Sequence, residues 1–221
     1  STQAKDDAGY LAALERLAVL YPKPEYWGDL IGRVGQLGNF PERLYIELYR
    51  FKLAALGSLP DKERLNFATQ ALRAGYPAEA LSLIEQGIAK RAFSNPADVS
   101  EAGKIREQAT RAATQDRAQE VENEASAKIA KTGDALIGLG FAQVLGGRAD
   151  KGLALIEQGL AKGGLKSQDE SRLHLGIAQW FAGRHPDALK TFESLTNAER
   201  GVKSIAHVWA LFLQAGGKPI A

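Results

Sequence analysis

Three histidines, at 174, 185 and 207, are the only imidazoles in the 221-residue chain, and there is no cysteine to join them. Disulfides, thiolate catalysis and Cys-based zinc sites are therefore impossible, and no His belongs to an HExxH pair that could seat a metal. These histidines read as ordinary helix-surface or turn residues. Gly138-x-Gly140 has the start of a dinucleotide loop, but no third glycine follows and the segment has helical spacing, so no strand-to-helix turn opens there. There is neither a GxSxG elbow nor a Walker loop. Glu85-Gln86 recurs as Glu157-Gln158, and identity inside a repeat points to a shared outer face rather than to acid–base chemistry. The expectation is a non-enzymatic chain with no metal and no cofactor.

The elements that would carry these residues are helical. Ala and Leu supply 64 residues against 18 Val plus Ile, a balance that favours helix over sheet. Lys and Arg number 28 against 26 Asp and Glu, interspersed to a net +2, so no electrostatic footprint for nucleic acid is expected. No run approaches the ~20 apolar residues of a membrane span, and membrane insertion is not expected. Glycine, at 23 residues, is over-used for a helical chain, since each interior Gly costs about 1 kcal/mol relative to Ala.

A repeat gives those glycines their positions. Leu83–Lys90 (LIEQGIAK) and Leu155–Lys162 (LIEQGLAK) agree at seven of eight residues, 72 positions apart. Leu139-Gly140-x-Ala142-Gln143-x3-Gly147-Arg148 recurs 36 positions later as Leu175-Gly176-x-Ala178-Gln179-x3-Gly183-Arg184. The unit is about 36 residues, with turn glycines at 38, 75, 147 and 183 and a register near 111 that lacks one. Apolar residues keep helical spacing on both sides of each glycine (Leu136, Leu139, Gly140 and Gln143; then Leu153, Ile156, Gly159 and Leu160). Glycines at 38, 75, 147 and 183 are expected to close one helix in a left-handed turn, with Pro41, Pro77 and Pro186 in the first turn of the next. Gly140, Gly176 and Ala68 are expected to let paired helices approach closely.

A two-helix unit of this length, with a small residue in the first helix, a turn Gly and an Ala early in the second helix, resembles the tetratricopeptide repeat. Trp27-x2-Leu30-x3-Val34-x3-Gly38-x-Phe40 carries the family's Trp, Leu, turn Gly and aromatic, and Leu175-Gly176, Gly183, Ala188 and Phe192 follow its pattern more fully. The first-helix Tyr is replaced by Gln143 and Gln179, the closing Pro by Gly163-Gly164, and Ile31 stands where a small residue is usual. The related Sel1-like repeats, also near 36 residues, are the minor alternative. The resemblance implies an all-α, right-handed superhelical solenoid of antiparallel helix pairs, about five repeats plus a C-terminal capping helix.

In that reading residues 1–221 form one array: front repeats over 1–93, a degenerate repeat over 94–132, the best-matching repeats over 133–198, and a capping helix and tail over 199–221. Tyr10, Leu14, Leu17 and Pro22 read as a second helix without its first, so the natural protein is expected to begin upstream of Ser1. The helix over 199–214 (Ile205, Val208, Trp209, Leu211, Phe212) is expected to cover the last repeat. Ser94 to Ala135 holds no Leu and no aromatic residue. It reads as an Ala-lined helix pair or as a bend between front and back halves.

The resemblance also implies a concave groove lined by first helices. The positions that would face it are Phe141, Val144 and Leu145, then Leu173, Ile177, Trp180 and Phe181, with Lys62, Leu65, Thr69, Leu72 and Arg73 from earlier units. Such a floor suits a protein or peptide partner, although Trp180 and Phe181 could instead be buried beneath the final helix. Asn is almost absent from the places where family members clamp a chaperone's C-terminal carboxylate, so that ligand is not expected. The stretch Leu17–Trp27, with LIEQG-type helices, resembles bacterial envelope repeat proteins and implies a periplasmic scaffold. A self-associating module (a homo-oligomer) and a helper region of a larger enzyme are the alternatives.

Overall fold

The computed structural model describes residues 2–38 and 40–218. Among these residues the chain is helical throughout, with no strand: α1 (Thr2–Leu20), α2 (Pro24–Gly35), a 3-10 turn (Glu42–Leu44), α3 (Tyr45–Leu56), α4 (Asp61–Arg73), α5 (Pro77–Ala89), α6 (Pro96–Ala118), α7 (Glu120–Ile129), α8 (Asp134–Leu145), α9 (Ala149–Lys162), α10 (Gln168–Phe181), α11 (His185–Glu193) and α12 (Arg200–Gln214).

The glycine punctuation works by one recurring device. Gly75, Gly147 and Gly183 have φ of 83°, 84° and 73°, the left-handed region where a side chain is strained. After each, the next residue's N–H reaches back five positions: Tyr76 to the Ala71 carbonyl, Arg148 to Gln143 and Arg184 to Gln179, at 2.8–2.9 Å. Gly38 departs from this pattern. Its φ is not left-handed, because α2 already closes at Gln36. The two LIEQG helices close differently: after α5, Arg91 takes a left-handed φ of 52° and the Ala92 N–H reaches back five positions to the Gly87 carbonyl, whereas α9 ends at Gly163 (φ 73°), whose own N–H bonds the Gly159 carbonyl at 3.2 Å.

The chain divides into two compact units, residues 1–59 with 185–221, and residues 60–184. These boundaries differ from the divisions at 93, 132 and 198 read from the repeats.

In the first unit α12 packs on α11 and also on α1, α2 and α3. The final helix, expected as a terminal cap, is the hub of this unit. Its high share of bulky apolar residues demands cover on several sides, and Val202, Ile205, Val208, Trp209 and Phe212 are all buried. Trp209 stacks on Phe192 (5.5 Å between centroids, 12° between planes) and meets Phe51 edge-on at 5.2 Å. Trp27 meets Phe51 at 5.9 Å and Phe212 at 5.8 Å, both edge-on, the geometry aromatic rings prefer. Beside this cluster Arg50 donates to Glu47 at 2.5 Å, both side chains almost wholly buried.

The second unit is built on small residues. A Cβ on Gly140 would lie 2.5 Å from the Gly152 carbonyl oxygen, and one on Gly159 would lie 2.6 Å from Ile137, so α8 and α9 touch backbone to backbone. In the equivalent pair α4–α5, Ala68 is wholly buried and Gly87 is crowded by Phe93 and Arg64. The bulkier contacts there fill the space that backbones occupy in α8–α9. Residues 94–132 lie inside this unit, and no turn falls near 111. Helix α6 runs unbroken for 23 residues, because Ala, Glu, Arg and Gln favour helix and nothing near 111 interrupts it. The break comes at Gln119, before α7.

Candidate functional site

The three histidines do not converge. His174, in the second unit, stacks flat on Phe141 at 4.2 Å; His207, in the first, is 3.0 Å from Glu15; His185 opens α11. Among the described residues no group of three His, Asp or Glu could hold a metal ion. Gly138-x-Gly140 lies within α8. Glu85 is exposed and pairs with Arg106 at 3.4 Å, and Glu157 is exposed.

The residues expected to line a groove all fall in the second unit, and the structure sorts them into three kinds. Leu65, Phe141, Val144, Leu173 and Ile177 are core, at most 3% exposed, and are not available to a partner. The cause is crowding: α8 is packed by α5, α7, α9 and α10 together, so positions on either side of Gly140 are covered. Phe141 lies between His174 and Tyr76, whose ring meets it edge-on at 5.6 Å. Thr69, Leu72, Leu145 and Trp180 are half-buried, while Lys62, Arg73 and Phe181 are exposed. Phe181 is 45% exposed and touches Trp180 edge-on at 5.0 Å.

None of these twelve residues lines the cleft that the second unit does contain, a space of about 480 Å³. One wall is the α4–α5 turn, Ala74 to Ala78. Opposite are Ala113, Asp116 and Arg117 of α6 with Asn123, Ser126 and Ala127 of α7, and the floor is α8. Ala135, Leu139, Ala142 and Gly146 recur there at three- or four-residue spacing, with Gly138 beside Leu139, the period that aligns positions along one helical face. The cleft exists because the segment without Leu or aromatics supplies no side chain large enough to fill it.

Two polar features mark this space. Gln143 is 4% exposed and its Oε1 accepts no hydrogen bond, a situation that costs about 1–3 kcal/mol when nothing compensates it. Asp116 is exposed, and partial desolvation pushes its carboxyl above the usual range; Arg117 and Arg148 share the lining. Arg148 is engaged elsewhere, bonded to Glu120. Lys151 bonds Glu120 at 2.7 Å and Glu124 at 2.8 Å, and Lys128 bonds Glu124 at 2.7 Å. Hydrogen bonds from Lys128 and Lys151 hold Glu124 down to about 2, those from Lys151 and Arg148 lower Glu120, and Lys151 is raised in return.

The sequence signal for this cleft was Gly138. It is neither a turn glycine nor a contact glycine, and a Cβ there would meet nothing within 4 Å. A helix-interior glycine without a packing reason leaves backbone open to something else.

Residues 170–194 match the family model of the tetratricopeptide repeat. The match runs from within α10 through α11, crossing the unit boundary at Arg184. No curated protein and no solved structure matches the chain. Tetratricopeptide repeats generally mediate protein–protein interaction. No helix among the described residues is long and apolar enough to cross a membrane.

Proposed function

We propose that this chain is a non-enzymatic interaction scaffold, and that the cleft between α6–α7, the α4–α5 turn and α8 is where a protein partner docks. The observation that carries this reading is the open, Gly- and Ala-lined floor around Gly138, where a Cβ would meet nothing within 4 Å. Small side chains admit another chain close to the helix backbone. A right-handed superhelical sense and a count of about five repeats are the finer parts of the same reading.

Gly138→Leu tests the proposal, because the open space around that position lets a side chain enter the cleft without displacing the core. After crosslinking in cells that naturally express the chain, mass spectrometry should recover a partner with wild type and lose it with Gly138→Leu at unchanged melting temperature. Equal recovery from both would refute the cleft as the docking site. A periplasmic location rests on the Leu17–Trp27 resemblance and is checked by fractionation of those cells; recovery in the cytoplasmic fraction would dismiss it.

A self-association reading has one observation of its own. Leu17, Leu20 and Tyr21, at the end of α1, are 40%, 63% and 67% exposed. Sedimentation of wild type and Leu20→Glu across a concentration series distinguishes this reading, which requires a dimer that the substitution dissolves.

A further inference from the structure

The walls of the cleft are held in place by different means. Helix α8 is fixed by Leu136, Ile137, Phe141 and Val144, and the α4–α5 side by Phe67, Ala71, Ala80 and Ile84, all buried. The α7 wall has no comparable anchor. Ala127 is the one buried residue of α7, set in a small cluster with Leu136 and Leu155. Its two bulky apolar side chains, Val121 and Ile129, are 83% and 86% exposed and contribute nothing to holding it. At ten residues the helix is also shorter than the about 12–15 needed for even marginal helicity alone in water. What retains α7 is polar and comes from the α9 side. Glu120 bonds Arg148 and Lys151, and Glu124 bonds Lys151 at 2.8 Å. At the other end Lys162 Nζ donates to the Lys128 carbonyl at 2.6 Å.

The chain on either side of α7 is fixed. Helix α6 is anchored through Ala102, Ile105 and Ala109, and the Gly133 N–H bonds the Gly163 carbonyl at 2.8 Å, with its Cα against the Gly159 backbone. Between those anchors the helical run is broken at Gln119 and again over residues 130–132. We infer that α7 is a salt-latched strap across the cleft: breaking the bonds of Glu120 and Glu124 to Arg148 and Lys151 lets it swing out about Gln119 and residues 130–132, and this opening admits the docking partner. Local opening is drawn to elements with little buried apolar surface, and ion pairs at the surface weaken as ionic strength rises. Asn123, Ser126 and Ala127 leave the lining with the strap, which uncovers the α8 floor along one side. This inference rests on the cleft being the docking site.

The test uses the full chain. In hydrogen exchange read by mass spectrometry, α7 amides should exchange about tenfold faster in about 1 M than in about 0.01 M sodium chloride, the scale of two or three partly exposed ion pairs, with α8 and α9 unchanged. Lys151→Met should speed α7 similarly at low salt. Access to the cleft is read separately. The chain has no cysteine, so Gly138→Cys puts a single thiol on the floor. Its rate of modification by a poly(ethylene glycol) maleimide, divided by its rate with N-ethylmaleimide, should rise about tenfold with salt or with Lys151→Met. The same ratio at Gly32→Cys, on α2, should not move. Exchange in α7 that ignores both salt and Lys151→Met, exchange that rises equally through α7, α8 and α9, or a constant ratio at position 138 would overturn the inference. These outcomes are separate from the crosslinking result: a partner lost with Gly138→Leu while α7 fails these tests would keep the docking site and discard the strap.

Discussion

The two units solve the same problem, burying helices with a limited apolar supply, in opposite ways. The first concentrates bulk: Trp27, Phe51, Phe192, Trp209 and Phe212 interlock and bring the final helix against the first three. The second removes bulk: glycines at 140, 152 and 159 bring backbones together, and alanines at 113, 127, 135 and 142 leave a cleft open. Aromatic packing fills its volume, whereas small-residue packing holds helices close in one place and leaves unfilled space in another. The unit with the smaller side chains has room for a partner in its cleft.

Substitutions that reverse each strategy probe this contrast. Trp209→Ala should have the largest effect, about 4 kcal/mol, appearing in hydrogen exchange first as lost protection in α1–α3, α11 and α12. Arg50→Met follows at about 3 kcal/mol, because it removes a buried cation bonded to the Glu47 carboxylate. Arg64 in the second unit is the sharpening control. Among the described residues no carboxylate is hydrogen-bonded to this buried guanidinium, which has a long 3.4 Å contact to the Leu83 carbonyl, and burial lowers its pKa against the opposing charge of Asp61; Arg64→Met should be neutral or stabilising in chemical denaturation.

The sharpest pair is two residues apart. Gly140→Ala should cost about 2 kcal/mol, since its Cβ has no room. Gly138→Ala should instead stabilise by up to about 1 kcal/mol through helix propensity. Denaturation midpoints that moved in the same direction would break the distinction between contact glycine and cleft glycine.

The smallest effect is electrostatic. Glu124 is held at about 2 against an ordinary value of 4.5, so between those limits the unfolded chain takes up a proton that the folded chain refuses. Stability from this network is complete above pH 4.5 and is lost as the pH falls towards 2. Lys151→Met should flatten that part of the stability profile, and high salt should mimic it. A profile unchanged by Lys151→Met would remove the network from the account.

The helices and their turns were legible in the sequence because periodicity and glycine spacing are local properties. The turns at 75, 147 and 183 need only a residue that tolerates left-handed φ, and Gly supplies it. What the repeat could not show was which faces are covered. Phe141 and Ile177 occupy positions that a regular stack would expose, but α8 is packed by four other helices and α10 by both α8 and α9, and that depends on contacts distant in sequence. The hub role of α12 escaped for the same reason, since its partners α1–α3 lie more than 140 residues earlier in the chain. The cleft escaped because it is made by what side chains lack. A segment without Leu or aromatics announces weak packing, and only the fold shows that the space it leaves lies over Gly138.

The central claim, that the second unit rather than the first presents the docking surface, has a matched pair of probes. Gly138 on α8 and Gly32 on α2 are both exposed helical glycines with nothing within 4 Å of a Cβ, so a photo-crosslinking amino acid fits either position without disturbing the core. Irradiation in cells should give a discrete adduct to another protein from position 138 and none from position 32. The same adduct from both positions, or from position 32 alone, would contradict the claim.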